Sequence, residues 1–268
     1  MKYVTVSSNG LKPIPREGFE AVNVALTLFG GGPLDDRLRA IKPSGRRFSG
    51  LFDTALSHYR DDRRAIFIFA VTEEGIPYVE ETVERIRDNG NIVSFNYYSA
   101  YGASAESPAH SERLLEELLR VREKYPSTVA SHPYYIRAMV TGRTPFGAFG
   151  YDVCPSISVD HPAHAERLRN GNPTLSMFNT WSADTESLKF CCTSGQCGQC
   201  RDSQAIMSWL LVSLAHFTDS RAQFITWLEV AESYWSQFVW SPFHRLAANP
   251  EHLRTGRPAE SLDASVGR

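Results

Sequence analysis

No cysteine precedes Cys154 in this chain of 268 residues, so no thiolate chemistry can arise from its first half. Apolar runs are short: none approaches the roughly 20 residues that a membrane-spanning helix needs. The N-terminal string MKYVTVSSNG lacks the apolar core of a signal peptide. We therefore expect a cytoplasmic chain with no membrane partner. Charge of one sign is also missing. With 28 basic and 30 acidic side chains the net charge is −2, which gives no electrostatic ground for nucleic acid as a partner. Gly-x-Ser-x-Gly, P-loop and dinucleotide fingerprints are absent, as are internal repeats. Gly30-Gly31-Gly32 stands alone after an apolar segment, and a lone glycine run is weak support for a phosphate cradle against a plain turn.

The first 100 residues alternate strand-like and helix-like patterns, which predicts parallel βα units. Strands are expected at Tyr3 to Ser7, at Val22 to Leu28 ending on the glycine run, at Ala65 to Val71 and at Ile92 to Tyr98. Ala65 to Val71 is apolar without alternation, as in a parallel strand covered on both faces. Helices are expected over Phe48 to Tyr59 and from Pro77 to Asn89. A further helix starts at Ser107-Pro108, where Leu114, Leu115, Leu118 and Leu119 share one face. Past Gly142 the character changes, with frequent Gly, Pro and Asn up to Asn179. A short strand, Leu188 to Phe190, leads into a cysteine-rich loop. Helices are then predicted over Gln204 to Phe217 and Asp219 to Val239, the second carrying Phe224, Trp227, Tyr234, Trp235 and Phe238, with Trp240 just beyond it. Such an aromatic stripe reads first as core packing and second as a partner surface. We divide the chain into 1–142, 143–248 and a polar tail, 249–268, expected to be disordered.

Four of the five cysteines fall within ten residues, Cys191 to Cys200. From Cys192 the spacing is C-x4-C-x2-C, and Cys197 with Cys200 forms a chelating C-x2-C pair. In a reducing compartment such clustering points to metal binding. Three thiolates leave a four-ligand site one short. Cys154 is the favoured fourth, because neighbours on an extended segment point to opposite faces, and Cys191 is the alternative.

The order of parts resembles the radical S-adenosylmethionine (radical SAM) superfamily. Val4-Thr5-Val6-Ser7-Ser8-Asn9-Gly10 is similar to the superfamily strand that ends in Thr-Asn-Gly. Leu34 to Arg39 and Gly45-Arg46-Arg47-Phe48 are similar to the stretch after its next strand, and Ala70 to Gly90 with Val93 to Tyr98 to the following strand-helix-strand passage. The cysteine loop resembles accessory regions of the SPASM-like or hopanoid-biosynthesis-like kind. This implies an α/β fold, a partial (βα) barrel of parallel strands over 1–142, N-terminally incomplete, with a C-terminal cysteine-rich loop and helical extension. It implies an auxiliary 4Fe–4S cluster on Cys154, Cys192, Cys197 and Cys200. It also implies a SAM pocket near the strand ends, lined by Ser7, Asn9, Thr72, Asn96 and Tyr98, although each of these residue types also serves as an ordinary cap or turn former. The superfamily's C-x3-C-x2-C loop and Gly-Gly-Glu motif are missing. On the resemblance they lie upstream of Met1, so the chain is expected to be a truncated form that does not itself cleave SAM.

Two other readings stay open. A zinc-stabilised, non-enzymatic α/β binding protein could use Cys197 and Cys200 with His161 and His164, although H-x2-H is a tight spacing. A ferredoxin-like electron carrier would suit the local cysteine string, but its fourth cysteine should follow Cys200, where none occurs. An acid–base enzyme using Glu73, Glu74, His58 or His132 has no motif behind it. Substrate, small molecule or peptide, is not specified by the sequence; a reductant protein is an expected partner of the iron–sulfur reading.

Overall fold

The computed structural model describes residues 4–39, 44–97, 108–141, 143–144, 147–148, 180–181, 188–189, 206–207, 210 and 214–238. Four parallel strands form its sheet: β1 (Val4–Ser8), β2 (Val22–Phe29), β3 (Ala65–Val71) and β4 (Ile92–Tyr97). Their order across the sheet is their order in the chain, each pairing with the next. The chain is thus an α/β protein, as the alternating patterns predict.

Helices fill the crossovers. Between β2 and β3 lie α1 (Pro33–Leu38) and α2 (Leu51–His58). Between β3 and β4 a 3-10 turn, Ile76–Tyr78, runs into α3 (Val79–Asp88). After β4 come α4 (Pro108–Lys124) and then Thr128 to Ala130, which joins the sheet: Val93 N–H donates to Thr128 O at 2.8 Å and Ala130 N–H to Val93 O at 2.8 Å. That parallel bridge, Val93 to Val129, adds a fifth position beyond β4. Next is α5 (Pro133–Thr141). Two short antiparallel pairs follow, β5 (Arg143–Thr144) with β6 (Gly147–Ala148) and β7 (Thr180–Trp181) with β8 (Leu188–Lys189). A 3-10 turn at Leu214–Phe217 precedes α6 (Arg221–Phe238). The expected domain boundary at Gly142 falls outside the described residues.

Register and the two-residue alternation of strands sort the sheet into two faces. Val24, Leu26 and Leu28 lie in line with Ala65, Phe67 and Phe69, and these with Val93 and Phe95. They join Phe52, Ala55 and Leu56 of α2, Val79, Val83 and Ile86 of α3 and Leu114, Leu118 and Val121 of α4 in one buried cluster. Phe52 meets Phe67 edge-on at 5.8 Å, and Phe69 meets Phe95 at 6.1 Å. Each such phenyl ring, fully buried, contributes about 2–3 kcal/mol. The opposite face mixes polar and apolar side chains: Thr5 and Ser7, then Asn23, Ala25, Thr27 and Phe29, then Ile66, Ile68 and Ala70, then Ile92, Ser94 and Asn96.

No helix lies between β1 and β2; a loop connects them. Arg64 holds that loop down. Its guanidinium donates to Pro15 O (2.8 Å), Phe19 O (2.9 Å) and Ile14 O (3.0 Å), with Asp62 Oδ2 2.7 Å away as counter-charge. The Ile14 N–H also donates to the Tyr59 hydroxyl at 3.0 Å.

The glycine run is built for close packing. All three residues have positive φ, and a Cβ on Gly31 would lie 2.6 Å from Thr82 Oγ1 and 2.9 Å from Phe69 Cζ. Gly75 approaches the Gly30 carbonyl so closely that a Cβ there would overlap it. Glycine is required because α3 and its leading turn sit directly on the end of β2.

Candidate functional site

In parallel α/β sheets, ligands gather beyond the carboxyl ends of the strands, where loops diverge. Here that edge carries Asn9 after β1, Asp35 and Arg39 after β2, and Thr72 after β3.

At its centre lies a buried ion pair. Arg39 Nη2 is 2.5 Å from Asp35 Oδ2, and the two side chains are 3% and 1% exposed. Asp35 Oδ1 accepts the Phe29 N–H at 2.9 Å, while Arg39 Nη1 donates to Asn9 O at 3.1 Å and also to Thr27 O. One arginine thereby ties the end of β1 to the end of β2. Burial raises the Asp35 carboxyl above its usual range, with the Arg39 charge and the Phe29 N–H opposing that rise. Next to it, Asp36 accepts the N–H groups of Gly50 (2.9 Å) and Leu51 (3.4 Å), which supplies α2 with the side-chain cap that Gly50 cannot provide.

The expected pocket residues are distributed along this edge and the mixed face. Ser7 and Asn96 project from the same face, at opposite ends of the strand order. Ser7 is in line with Ala25, Ile66 and Ile92, whereas Asn96 is in line with Ala70 and Phe29, four residues further along each strand. The sheet does not bring them together. Asn9 and Thr72 are engaged locally: Asn9 Oδ1 accepts the Leu11 N–H at 3.0 Å, and Thr72 Oγ1 accepts the Gly75 N–H at 2.9 Å. Both therefore shape turns. Asn96 Oδ1 likewise accepts the N–H of Tyr97 at 2.8 Å. Tyr98 lies outside the described residues, as do Cys154, Cys191, Cys192, Cys197, Cys200, His161 and His164.

A second polar cluster sits beyond Thr128 to Ala130. Ser131 Oγ accepts the Phe95 N–H at 2.8 Å and lies 3.2 Å from Ser94 Oγ. His132 Nδ1 accepts the Tyr134 N–H at 3.1 Å, capping α5 with an imidazole. With Nδ1 occupied as acceptor, the proton resides on Nε2, 3.2 Å from Glu229 Oε2 of α6. Burial, aided by the nearby charge of Arg122, pushes the His132 pKa down to about 4, so the ring is neutral at pH 7. The neutral ring then donates to the Glu229 carboxyl group, whose pKa burial raises, and this bond clamps α6 onto α5 without an ion pair. Sequence reasoning named His132 only as an acid–base candidate and missed Glu229, 97 positions away. The Asp35–Arg39 pair did leave a signal, the i, i+4 spacing of opposite charges.

Among the described residues no group of three or more His, Cys, Asp or Glu side chains is assembled as metal ligands, and no helix is long and apolar enough to cross a membrane. No family model matches the chain. No curated protein matches it either.

Proposed function

We propose that this chain is part of a radical SAM-type enzyme, a partial (βα) barrel that carries an auxiliary 4Fe–4S cluster on Cys154, Cys192, Cys197 and Cys200, with Cys191 as the alternative ligand. One observation supports the barrel reading above the rest. The parallel strands run β1-β2-β3-β4 without reversal, Thr128 to Ala130 takes the next place, and α2, α3 and α4 pack against one face. Doubly wound sheets reverse strand order and carry helices on both faces; a barrel wall does neither.

On this reading the opposite face, whose polar side chains include Ser7, Thr27, Ser94 and Asn96 between Phe29, Ile66, Ile68 and Ile92, is the inner wall, where SAM would lie in the intact enzyme. Asn9 and Thr72 contribute through the shape of their turns, since their side-chain oxygens already accept backbone N–H groups. Clustered thiolates are soft donors that suit iron–sulfur clusters and zinc alike. An auxiliary cluster relays electrons or anchors substrate. With no C-x3-C-x2-C in the sequence, the chain by itself is proposed not to cleave SAM. Its proposed setting is the cytoplasm, with a reductant protein and a small-molecule or peptide substrate as partners and neither nucleic acid nor membrane.

Anaerobic purification followed by iron and sulfide analysis tests the proposal. The expected result is a brown protein with about four iron and four sulfide per chain. Cys192→Ser, Cys197→Ser, Cys200→Ser and Cys154→Ser should each lose the colour, while Cys191→Ser keeps it. A colourless protein with stoichiometric zinc overturns the iron–sulfur assignment. Formation of 5′-deoxyadenosine from SAM under strong reductant overturns the claim that this chain cannot cleave it.

A further inference from the structure

The helix α6 presents apolar side chains to both sides. Its inner face is set by Val230, Ala231 and Ser233, all buried, and by Trp227, whose indole N–H donates to Leu210 O at 2.9 Å. Ser233 Oγ hydrogen-bonds Ala130 O, and Glu229 meets His132. Diametrically opposite lies a different stripe. Arg221, Ile225, Leu228 and Glu232 are spaced by four, three and four residues, which confines them to an arc of about 60° on a 3.6-residue helix. All four are exposed, with Ile225 at 37% and Leu228 at 45%, and Phe224 beside them at 40%.

From this seam we infer that α6 is a two-fold interface between copies of this chain. The pattern is self-complementary. In an antiparallel pairing about an axis midway between Ile225 and Leu228, each Ile225 faces the second copy's Leu228 and each Arg221 faces its Glu232. The same four residues satisfy both sides, as a two-fold contact demands. Among the described residues neither Arg221 nor Glu232 takes part in an ion pair, and their charges are opposite, as positions that face each other across the two-fold require. Arg221 is moreover the first residue of α6, in a first turn that contains no acidic side chain. A cation at the positive end of a helix is unfavourable on its own, and a second copy's carboxylate relieves it. Another protein would need to supply the mirror of this charge order; a second copy carries it already.

Sedimentation equilibrium on the full chain, in reductant and under anaerobic conditions, tests the interface. A concentration-dependent dimer is expected. Leu228→Glu should raise the dissociation constant by at least about tenfold, because it buries a charge in the seam. Arg221→Glu or Glu232→Arg alone should weaken the dimer about three- to tenfold, and the double swap should restore it. The charge swaps stand on exposed turns, so they keep the test decisive if Leu228→Glu does not fold. A chain that stays monomeric up to about 0.1 mM overturns the inference. So does a dimer indifferent to all four variants, or a double swap that remains as weak as the single ones.

Discussion

The two outer strands of the sheet differ more than their sequences suggest. β4 ends in a filled edge: Val93, Phe95 and Tyr97 are buried beneath the helices, and Thr128 to Ala130 takes up its free backbone. Among the described residues β1 has no strand on its outer side, and its Val4, Thr5, Val6 and Ser7 are all exposed. The contrast follows from the connections. The chain leaves β4 through a long helix whose leucines cover the sheet, and leaves β1 through a loop that Arg64 pins by its carbonyls. Parallel strands need cover on both faces. Among the described residues β1 lacks a covering helix, and it is the strand with least to lose when disturbed.

The largest effect expected from this comparison is at the filled edge. Phe95→Ala should lower unfolding stability by about 3–5 kcal/mol in urea titration, through lost burial and the cavity left between β4 and Phe69. A loss as small as that of an exposed residue would mean that the edge is not packed as described.

Acid should act on the same side of the molecule. His132 has its pKa lowered to about 4 against an ordinary value of 6.5. The unfolded chain therefore binds the extra proton first as pH falls. The neutral ring's contribution is complete above pH 6.5 and is lost between there and about pH 4, by up to about 3 kcal/mol. His132→Asn keeps an acceptor for the Tyr134 N–H and removes the titration, so its stability measured at pH 7 and at pH 4.5 should differ less than the parent's.

Ser131→Ala comes third. It leaves the Phe95 N–H buried without its acceptor and should destabilise by about 1–3 kcal/mol, with thermal unfolding as the readout. Smallest of all, Val6→Thr on β1 should change stability by less than about 0.5 kcal/mol. A loss above about 1 kcal/mol there would show that β1 is covered in solution and would remove the contrast between the edges.

Much of the sheet is legible in the sequence. The continuous apolar run Ala65–Val71 is β3 as predicted, and the helix read over Phe48 to Tyr59 appears as Leu51–His58. The leucine face of α4 is buried at Leu114 and Leu118 as its spacing requires. Periodicity reports which side of an element is apolar, and that is enough for these. It does not report α1, only six residues long, nor α5, whose start is hidden because a histidine ring takes the role normally played by Ser, Asp or Asn. The candidate site is less legible. By type and position Asn9 and Thr72 are strand-end polar residues with two possible roles, and only atomic contacts show their oxygens committed to turns. The Arg39 bonds to Asn9 and Thr27 span 30 and 12 positions, a separation over which no local pattern carries information. The cysteine spacing speaks for itself within one loop. Its relation to Cys154 depends on a fold-scale distance that spacing does not encode.

The Arg64 clamp also sets where motion should stop. Its carbonyl partners, Ile14, Pro15 and Phe19, lie between β1 and β2, so a fluctuation that peels β1 from the sheet and breaks the Arg39 bond to Asn9 O meets three further charge-assisted hydrogen bonds before it reaches Val22. Amide hydrogens of Val4 to Ser8 should then exchange with solvent by local opening, while those of β2 wait for the whole sheet to come apart. The arginine divides one continuous sheet into a first segment that breathes and a remainder that unfolds as a unit.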